Sequence, residues 1–236
     1  MSFIKYINEV SLQDVNALAN LNYQHLLCEI DFKDLLVKKP WGSEYLLFEN
    51  EACAIWILNI KYMENTSMHC HPKKDTSLVC LDEHISCNTL NNTNKLKPLE
   101  GLFLNKQVFH QTQSTSKNGS FILEIETPVN KFDLIRINDT YGRQGKEYEN
   151  KKHYELHDNL TLNFKNKHTK TINKTKIELL TINSLSALKD YDKESILAIV
   201  SPSQKCGIIY KLHDIDEELI SKELDIILIS RDKGKE

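Results

Sequence analysis

Short apolar runs recur about every ten residues between positions 45 and 127. They are rich in β-branched, aromatic and aliphatic side chains, as in residues 54–60, 77–81, 101–104 and 120–127. Asn, Asp, Pro and Gly punctuate this region, and no long helix is indicated between the runs. This pattern predicts an all-β domain, an antiparallel sandwich or barrel, and excludes a βαβ fold.

The first 36 residues follow a helical pattern instead. Ser11 precedes Asp14 by three positions, which is the spacing of an N-terminal capping box. Val15, Leu18 and Leu21 then recur at helical intervals. We predict an N-terminal helical arm over residues 1–36, with one or two helices, which covers a sheet edge or reaches a partner subunit.

The hydrophobic pattern of residues 151–236 predicts a small C-terminal strand-rich subdomain. Apolar runs at 177–180, 195–200, 207–210 and 225–229 alternate with polar segments, and no second His-x-His occurs there. We interpret this region as a degenerate second barrel, or as a dimerisation or lid module. The barrel itself is expected over residues 37–150.

Composition narrows the classes of partner. The formal net charge is −3, and 27% of the 236 residues are charged. This balance argues against nucleic acid or an anionic membrane as the main partner. No apolar run is long enough to cross a bilayer, and residues 1–5 lack a signal-peptide core. The six cysteines form no CxxC pair. We expect reduced thiols, a cytoplasmic location and a homodimer.

The chemistry concentrates at His69-Cys70-His71. On a strand, two histidines one residue apart project from the same face and can reach one cation together. Asp75 follows four residues after His71, and His110 lies in an apolar-flanked run further along. We predict a metal site formed by His69, His71, Asp75 and His110, since borderline metals accept imidazole and carboxylate ligands. The alternative is a pair of surface imidazoles on a polar strand.

The order of these residues resembles the cupin superfamily. Its first motif has His-x-His followed by a Glu, and its second motif ends in a His. Here the first maps onto His69, His71 and Asp75, and the second onto 105–110 with His110. Asp replaces Glu, and the Pro and Gly of the second motif are missing. The resemblance implies a cupin-type jelly-roll barrel, also called a double-stranded β-helix, with a divalent metal inside: Fe, Mn, Ni or Zn.

A second segment narrows the resemblance. Lys39-Pro40-Trp41-Gly42-Ser43-Glu44 is similar to the opening of cupins related to type II phosphomannose isomerases. That similarity implies a sugar phosphate or nucleotide sugar as the ligand. The alternative is a turn that Trp41 anchors, with no catalytic meaning.

Two acidic residues lie in the apolar run 120–127. On a strand, Glu124 and Glu126 share one face, and Leu123 and Ile125 share the other. If another layer covers the apolar face, both acids point into the barrel and are candidates for a metal ligand or a general base. If the apolar face forms the core, both acids face solvent.

Basic side chains flank this candidate site. We assign Lys73 as a catalytic cation and Lys74 as a contact for a phosphate or carboxylate, with a solvated turn as the alternative. Arg143, near two glycines, is a candidate for bidentate anion binding, and Tyr141 for stacking on a sugar or base. The alternative for this loop is a structural salt-bridged end of the barrel.

The residues and the resemblance together favour a metal-dependent enzyme, and the resemblance alone implies an isomerase or epimerase of a sugar phosphate or nucleotide sugar in bacterial surface-polysaccharide assembly. Two histidines and a carboxylate would also suit an Fe(II)-dependent oxygenase. A metal-free epimerase and a non-catalytic ligand-binding cupin are the remaining alternatives.

Overall fold

The computed structural model describes residues 3–21, 30–142, 151–220 and 222–232. In chain order its regular elements are β1 (Ile4–Ile7), α1 (Leu12–Ala19), β2 (Leu35–Lys39), β3 (Gly42–Glu49), β4 (Ala54–Ile60), β5 (Met68–Cys70), β6 (Asp75–Cys80), β7 (Ile85–Thr89), β8 (Thr93–Leu96), β9 (Gly101–Leu104), β10 (His110–Ser114), β11 (Ser120–Thr127), β12 (Ile135–Asn138), β13 (Tyr154–Leu156), β14 (Thr169–Ile172), β15 (Thr175–Ile182), β16 (Ile196–Ile199), β17 (Ile209–Lys211) and β18 (Leu224–Arg231). Short 3₁₀ turns lie at Lys151–His153, Leu185–Leu188, Leu212–Asp214 and Glu217–Ile220.

Two of the three sheets form the barrel. The large sheet has the order β1-β9-β6-β11-β4-β3-β2-β13, and the site sheet has the order β12-β5-β10-β7-β8. From β4 to β12 the chain passes back and forth between them, so that β4-β11-β6-β9 faces β5-β10-β7-β8. This order is that of a jelly roll, a double-stranded β-helix. The predicted all-β, cupin-type fold is therefore confirmed.

The N-terminal arm is only partly helical. Helix α1 begins after Ser11, whose side chain accepts from the Asp14 amide in the predicted capping box. Residues 4–7 instead form β1, which pairs in parallel with β9 and covers that edge of the large sheet. Their predicted helical structure is wrong, because the open edge of β9 offers hydrogen-bond partners that an isolated segment lacks. The second predicted helix reaches residues 22–29, which lie outside the described residues.

The C-terminal segment forms one open sheet and not a second barrel. Its five strands have the order β14-β15-β18-β16-β17. One face packs on the outside of the large sheet, and a single apolar cluster holds Leu123 and Ile125 of β11 together with Ile177, Ile196 and Ile227. The apolar side of β11 is therefore covered by this added layer.

This packing predicts the stability of one matched pair of variants. Leu123 is fully buried between the two sheets, whereas Leu156 is 76% exposed. Leu123→Ala should lower the free energy of unfolding by about 2–5 kcal/mol through lost burial and a residual cavity. Leu156→Ala should change it by less than about 0.5 kcal/mol. Urea unfolding followed by circular dichroism measures both, and equal effects would contradict this packing.

Candidate metal centre

Three buried imidazoles meet on the site sheet. His69 lies on β5, His71 follows that strand directly, and His110 opens β10 opposite His69. The ring centroids are 4.4 Å apart for His69 and His110, 5.1 Å for His69 and His71, and 5.5 Å for His71 and His110. One ring nitrogen from each lies within 4.8 Å of the others. The structure thus brings together the three histidines that the sequence selected.

Backbone carbonyls fix the orientation of all three rings. The Nδ1 atom lies 2.8 Å from Ser67 O in His69, 2.6 Å from Asp133 O in His71, and 3.0 Å from Val108 O in His110. A carbonyl oxygen only accepts, so each Nδ1 carries a hydrogen, and in a neutral ring Nε2 then keeps a lone pair. Metal-ligating histidines typically have this arrangement, in which the outer nitrogen donates to a backbone carbonyl or carboxylate.

The chemistry of these atoms fits a divalent metal. His71 Nε2 is buried and has no hydrogen-bond partner in the structure. A buried polar atom without a partner is costly unless something else satisfies it. Three imidazoles with a carboxylate nearby suit transition metals such as Zn, Fe, Ni or Mn. His69, His71 and His110 are therefore the residues that would hold the ion.

The environment keeps the imidazoles of His69 and His110 uncharged. Burial, with the charges of His110 and His71, holds the pKa of His69 well below its usual value. Burial and the nearby His71 lower the pKa of His110 to about 4. Protons therefore compete weakly for these rings near neutral pH, and the form that binds a metal predominates.

The nearest carboxylate is Glu124, not Asp75. Glu124 points inward from β11, and its Oε1 lies 3.8 Å from His71 Nε2. Asp75 begins β6, and its Oδ1 accepts a hydrogen bond of 2.8 Å from the Lys106 amide. One ligand atom from each of His71, Glu124 and Glu126 lies within 4.8 Å of the others, and Asp75 belongs to no such group among the described residues. The prediction that Asp75 is a metal ligand is therefore corrected, because its carboxylate stabilises the turn before β10.

Glu126 faces the same interior but belongs to a buried ion network. Its Oε1 lies 2.9 Å from Lys74 Nζ and 3.8 Å from Lys131 Nζ. Lys131 Nζ also lies 3.2 Å from Glu44 Oε1, which pairs with Lys39. Burial raises the pKa of Glu126, but the two ammonium groups outweigh it and bring the pKa to about 2. Glu126 stays ionised, and its Oε2 is buried without a hydrogen-bond partner. Its predicted catalytic role stays a prediction.

The surroundings of Glu124 differ from those of Glu126. Burial raises its pKa, while the His71 ring and the Lys131 charge lower it, and the net shift is downward. No ammonium lies within ion-pairing distance of Glu124 in the structure, as far as the described residues show. It is therefore ionised at neutral pH and the better placed of the two acids for proton transfer or metal ligation.

Several predicted substrate contacts lie elsewhere. The Lys73 side chain is exposed, and its backbone amide donates to Asp133 Oδ2. Lys74 is fully buried and reaches the interior through Glu126, as an ion-pair partner and not as a surface contact. The Tyr141 hydroxyl donates to Glu64. Arg143 lies outside the described residues.

A small cleft, with a cavity volume of about 50 Å³, opens beside the imidazoles. Its walls are formed by Lys39, Trp41, Glu44, Leu58, Thr66, Ser67, His69, His71, Glu124, Glu126, Lys131, Leu134 and Arg136.

Sequence reasoning missed Lys39, Lys131 and Arg136 as cleft residues. Arg136 lies on β12 directly opposite His69. Lys131 contacts Trp56 from the loop before β12, with its Nζ 3.7 Å from the ring centroid. The alternation of residues on β12 could have placed Arg136, but the pairing of β12 with β5 could not be read from the sequence.

The comparisons with known proteins show similarity in fold only. No protein-family model and no curated protein sequence matches the chain. Similar solved structures include KdgF from Halomonas sp. (8% identity, TM-score 0.36, 45% of this chain and 90% of that one). Others are a cupin-2 domain from Rhodospirillum rubrum (10%, 0.38, 46% and 79%) and the polyketide cyclase RemF from Streptomyces resistomycificus (11%, 0.39, 49% and 88%). Matches of this size assign neither substrate nor reaction to the chain. Within the described residues, no helix is long and apolar enough to span a bilayer.

The low pKa of His110 predicts how the stability of metal-free protein depends on pH. The pKa is about 4 in the folded chain against 6.5 for an ordinary histidine, so the unfolded chain binds more protons between these values. Stability should therefore fall as the pH falls, by about 1.5 kcal/mol from His110 alone between pH 6.5 and pH 5. Chemical unfolding in excess chelator at both pH values measures it.

The matched comparison is His110→Gln against His157→Gln, since the His157 side chain is 49% exposed. His110→Gln should flatten the pH dependence, and His157→Gln should leave it as in the parent protein. An undiminished slope in His110→Gln would show that His110 is not held neutral.

Proposed function

We propose that this protein is a metal-dependent cupin enzyme that isomerises or epimerises a small anionic sugar, a sugar phosphate or nucleotide sugar. The observation that carries the proposal is the set of three Nε2 atoms, on rings whose Nδ1 atoms are all held by backbone carbonyls. Such preorganisation costs flexibility and is typical of a site that binds a ligand through the free nitrogens.

The metal would be held by His69, His71 and His110, with Glu124 as the candidate fourth ligand. A bound divalent ion would supply Lewis-acid polarisation of a substrate oxygen. If Glu124 does not ligate, its ionised carboxylate can accept a proton from the substrate carbon next to the polarised group. Both uses of Glu124 require the same inward position on β11.

The charges of the cleft support an anionic substrate. Three cationic and three carboxylate side chains line it: Lys39, Lys131, Arg136, Glu44, Glu124 and Glu126. These charges balance, so a bound divalent cation would leave the cleft with excess positive charge. Arg136, opposite His69, is well placed to contact a phosphate or carboxylate beside the metal.

The sugar itself is supported by the resemblance of residues 39–44 to the opening of phosphomannose isomerase-related cupins. Trp41 of that segment is buried and lines the cleft, where an aromatic ring can pack against a sugar. The same metal ligands would also serve an oxygenase or a binding module, and the experiments below separate these activities.

Metal content tests the ligand set. His69→Ala and His71→Ala should each lose most of the bound metal after desalting, because three imidazoles are needed to hold it. His153→Ala, on a 3₁₀ turn outside the cluster, should retain it. Elemental analysis of all three purified variants measures this, and equal metal content would refute the site.

Substrate binding tests the charge of the cleft. Arg136→Gln should weaken binding of a sugar phosphate or nucleotide sugar by about tenfold or more, the loss expected for one charged hydrogen bond. Arg231→Gln removes an exposed arginine at the end of β18 and is the control. Calorimetric titration of a panel of these sugars measures the affinity.

If metal binds but no sugar phosphate or nucleotide sugar does, the proposed substrate class is wrong. Consumption of O₂ with a candidate substrate would then identify an oxygenase. Binding of a ligand without turnover would identify a non-catalytic module.

A further inference from the structure

Asp14, on the N-terminal helix, is buried although it lies far from the cleft along the chain. It is only 3% exposed, and it is the buried residue of α1. Burying a carboxylate is costly unless hydrogen bonds satisfy it. The two carboxylate oxygens of Asp14 accept hydrogen bonds from different partners, and only one of these oxygens takes part in capping α1.

Asp14 Oδ2 completes the capping box. It accepts from the Ser11 amide at 3.0 Å and from the Ser11 hydroxyl at 2.6 Å. Asp14 Oδ1 instead accepts from the Phe109 amide at 2.9 Å, across 95 residues of sequence. A capping box needs only the first set of contacts. The contact with the Phe109 amide is therefore additional to the capping box.

The peptide unit between Val108 and Phe109 connects this contact to the candidate metal centre. Its N–H donates to Asp14 Oδ1, and its C=O accepts from His110 Nδ1 at 3.0 Å. The carboxylate and the imidazole thus bind opposite ends of one rigid, planar amide. Hydrogen bonds in such a chain polarise one another, so the carboxylate strengthens the carbonyl as an acceptor for the His110 ring.

The position of α1 is fixed by apolar packing behind the site sheet. Ala17, Leu18 and Leu21 pack against a cluster of Cys70, Phe109 and Ile135. Cys70 lies between two of the imidazoles in sequence, and Phe109 directly precedes the third. The helix therefore covers the back of the strands that carry the histidines and holds Asp14 against Phe109.

We propose that Asp14 is a positioning residue of the metal centre, which orients His110 and raises its ligand strength through the Val108–Phe109 peptide. The inference rests on the proposed function in that it assumes a metal at His69, His71 and His110. A carboxylate that supports a metal-binding histidine usually accepts directly from its ring N–H, and here one peptide unit lies between the Asp14 carboxylate and the His110 ring. Asp14 contacts neither metal nor substrate.

Three variants separate positioning from capping. Asp14→Asn keeps an acceptor for Phe109 but removes the charge, and Asp14→Ala removes both. Ser11→Ala removes the hydroxyl that accepts from the Asp14 amide and donates to Asp14 Oδ2, and it keeps the contact of Asp14 Oδ1 with the Phe109 amide. Thermal unfolding of each variant shows how much stability the capping box supplies.

The first measurement uses metal-free protein. Nitrogen-15 NMR follows exchange of the His110 Nδ1 hydrogen with solvent. We expect exchange at least about tenfold faster in Asp14→Asn, with Ser11→Ala like the parent protein, since the carboxylate chain is intact there. Equal exchange in the parent protein and Asp14→Asn would overturn the proposal, whether or not the protein binds metal.

The second measurement titrates Zn²⁺ against a competing chelator and records the visible spectrum of Co²⁺. Zn²⁺ affinity should fall about 10- to 100-fold in Asp14→Ala, with a smaller fall in Asp14→Asn and none in Ser11→Ala. The Co²⁺ bands should shift in the Asp14 variants only. The opposite result is that Zn²⁺ affinity and the Co²⁺ bands change in proportion to the loss of thermal stability, and that Ser11→Ala changes them as much as Asp14→Ala does. That result would show that Asp14 acts only as a helix cap.

The two proposals can fail separately. If the parent protein binds neither Zn²⁺ nor Co²⁺, the proposed function fails, and the exchange measurement still decides whether Asp14 orients His110. If Asp14→Ala does not fold, Asp14→Asn alone decides between the outcomes.

Discussion

The hydrogen bonds from three imidazole Nδ1 atoms to three backbone carbonyls are the constraint on which this molecule's chemistry depends. The acceptors come from residues 67, 108 and 133, so they lie in three separate segments of the chain. The two facing sheets of the jelly roll place these segments at fixed positions around one point. Any function at the centre therefore depends on the integrity of the whole jelly roll.

Strand β11 shows how one segment serves both core and site. Its even-numbered acids face the ions of the interior, and its odd-numbered aliphatic residues face the C-terminal sheet. Buried carboxylates are tolerated because Lys74 and Lys131 pair with Glu126 and because His71 lies beside Glu124. The added sheet thus permits polar residues inside the barrel by supplying apolar contacts outside it.

The sequence indicated what local periodicity controls. The alternation at residues 69–71, the spacing of Ser11 and Asp14, and the apolar strands all reappear in the structure. The direction of Glu124 stayed undecided, because it depends on a covering layer that lies some fifty residues further along. Asp75 and the strand at residues 4–7 were predicted wrongly, since a turn amide and a free strand edge, both tertiary features, decide their positions.

The N-terminal arm has a consequence for biosynthesis. It is translated before the strands that carry the histidines, and the amide that Asp14 binds belongs to a residue made 95 positions later. At about 5–20 residues per second, several seconds pass before that partner emerges. In the later part of this interval the nascent chain contains His69 and His71 without His110, so the order of translation delays completion of a three-imidazole pocket until β10 has been synthesised.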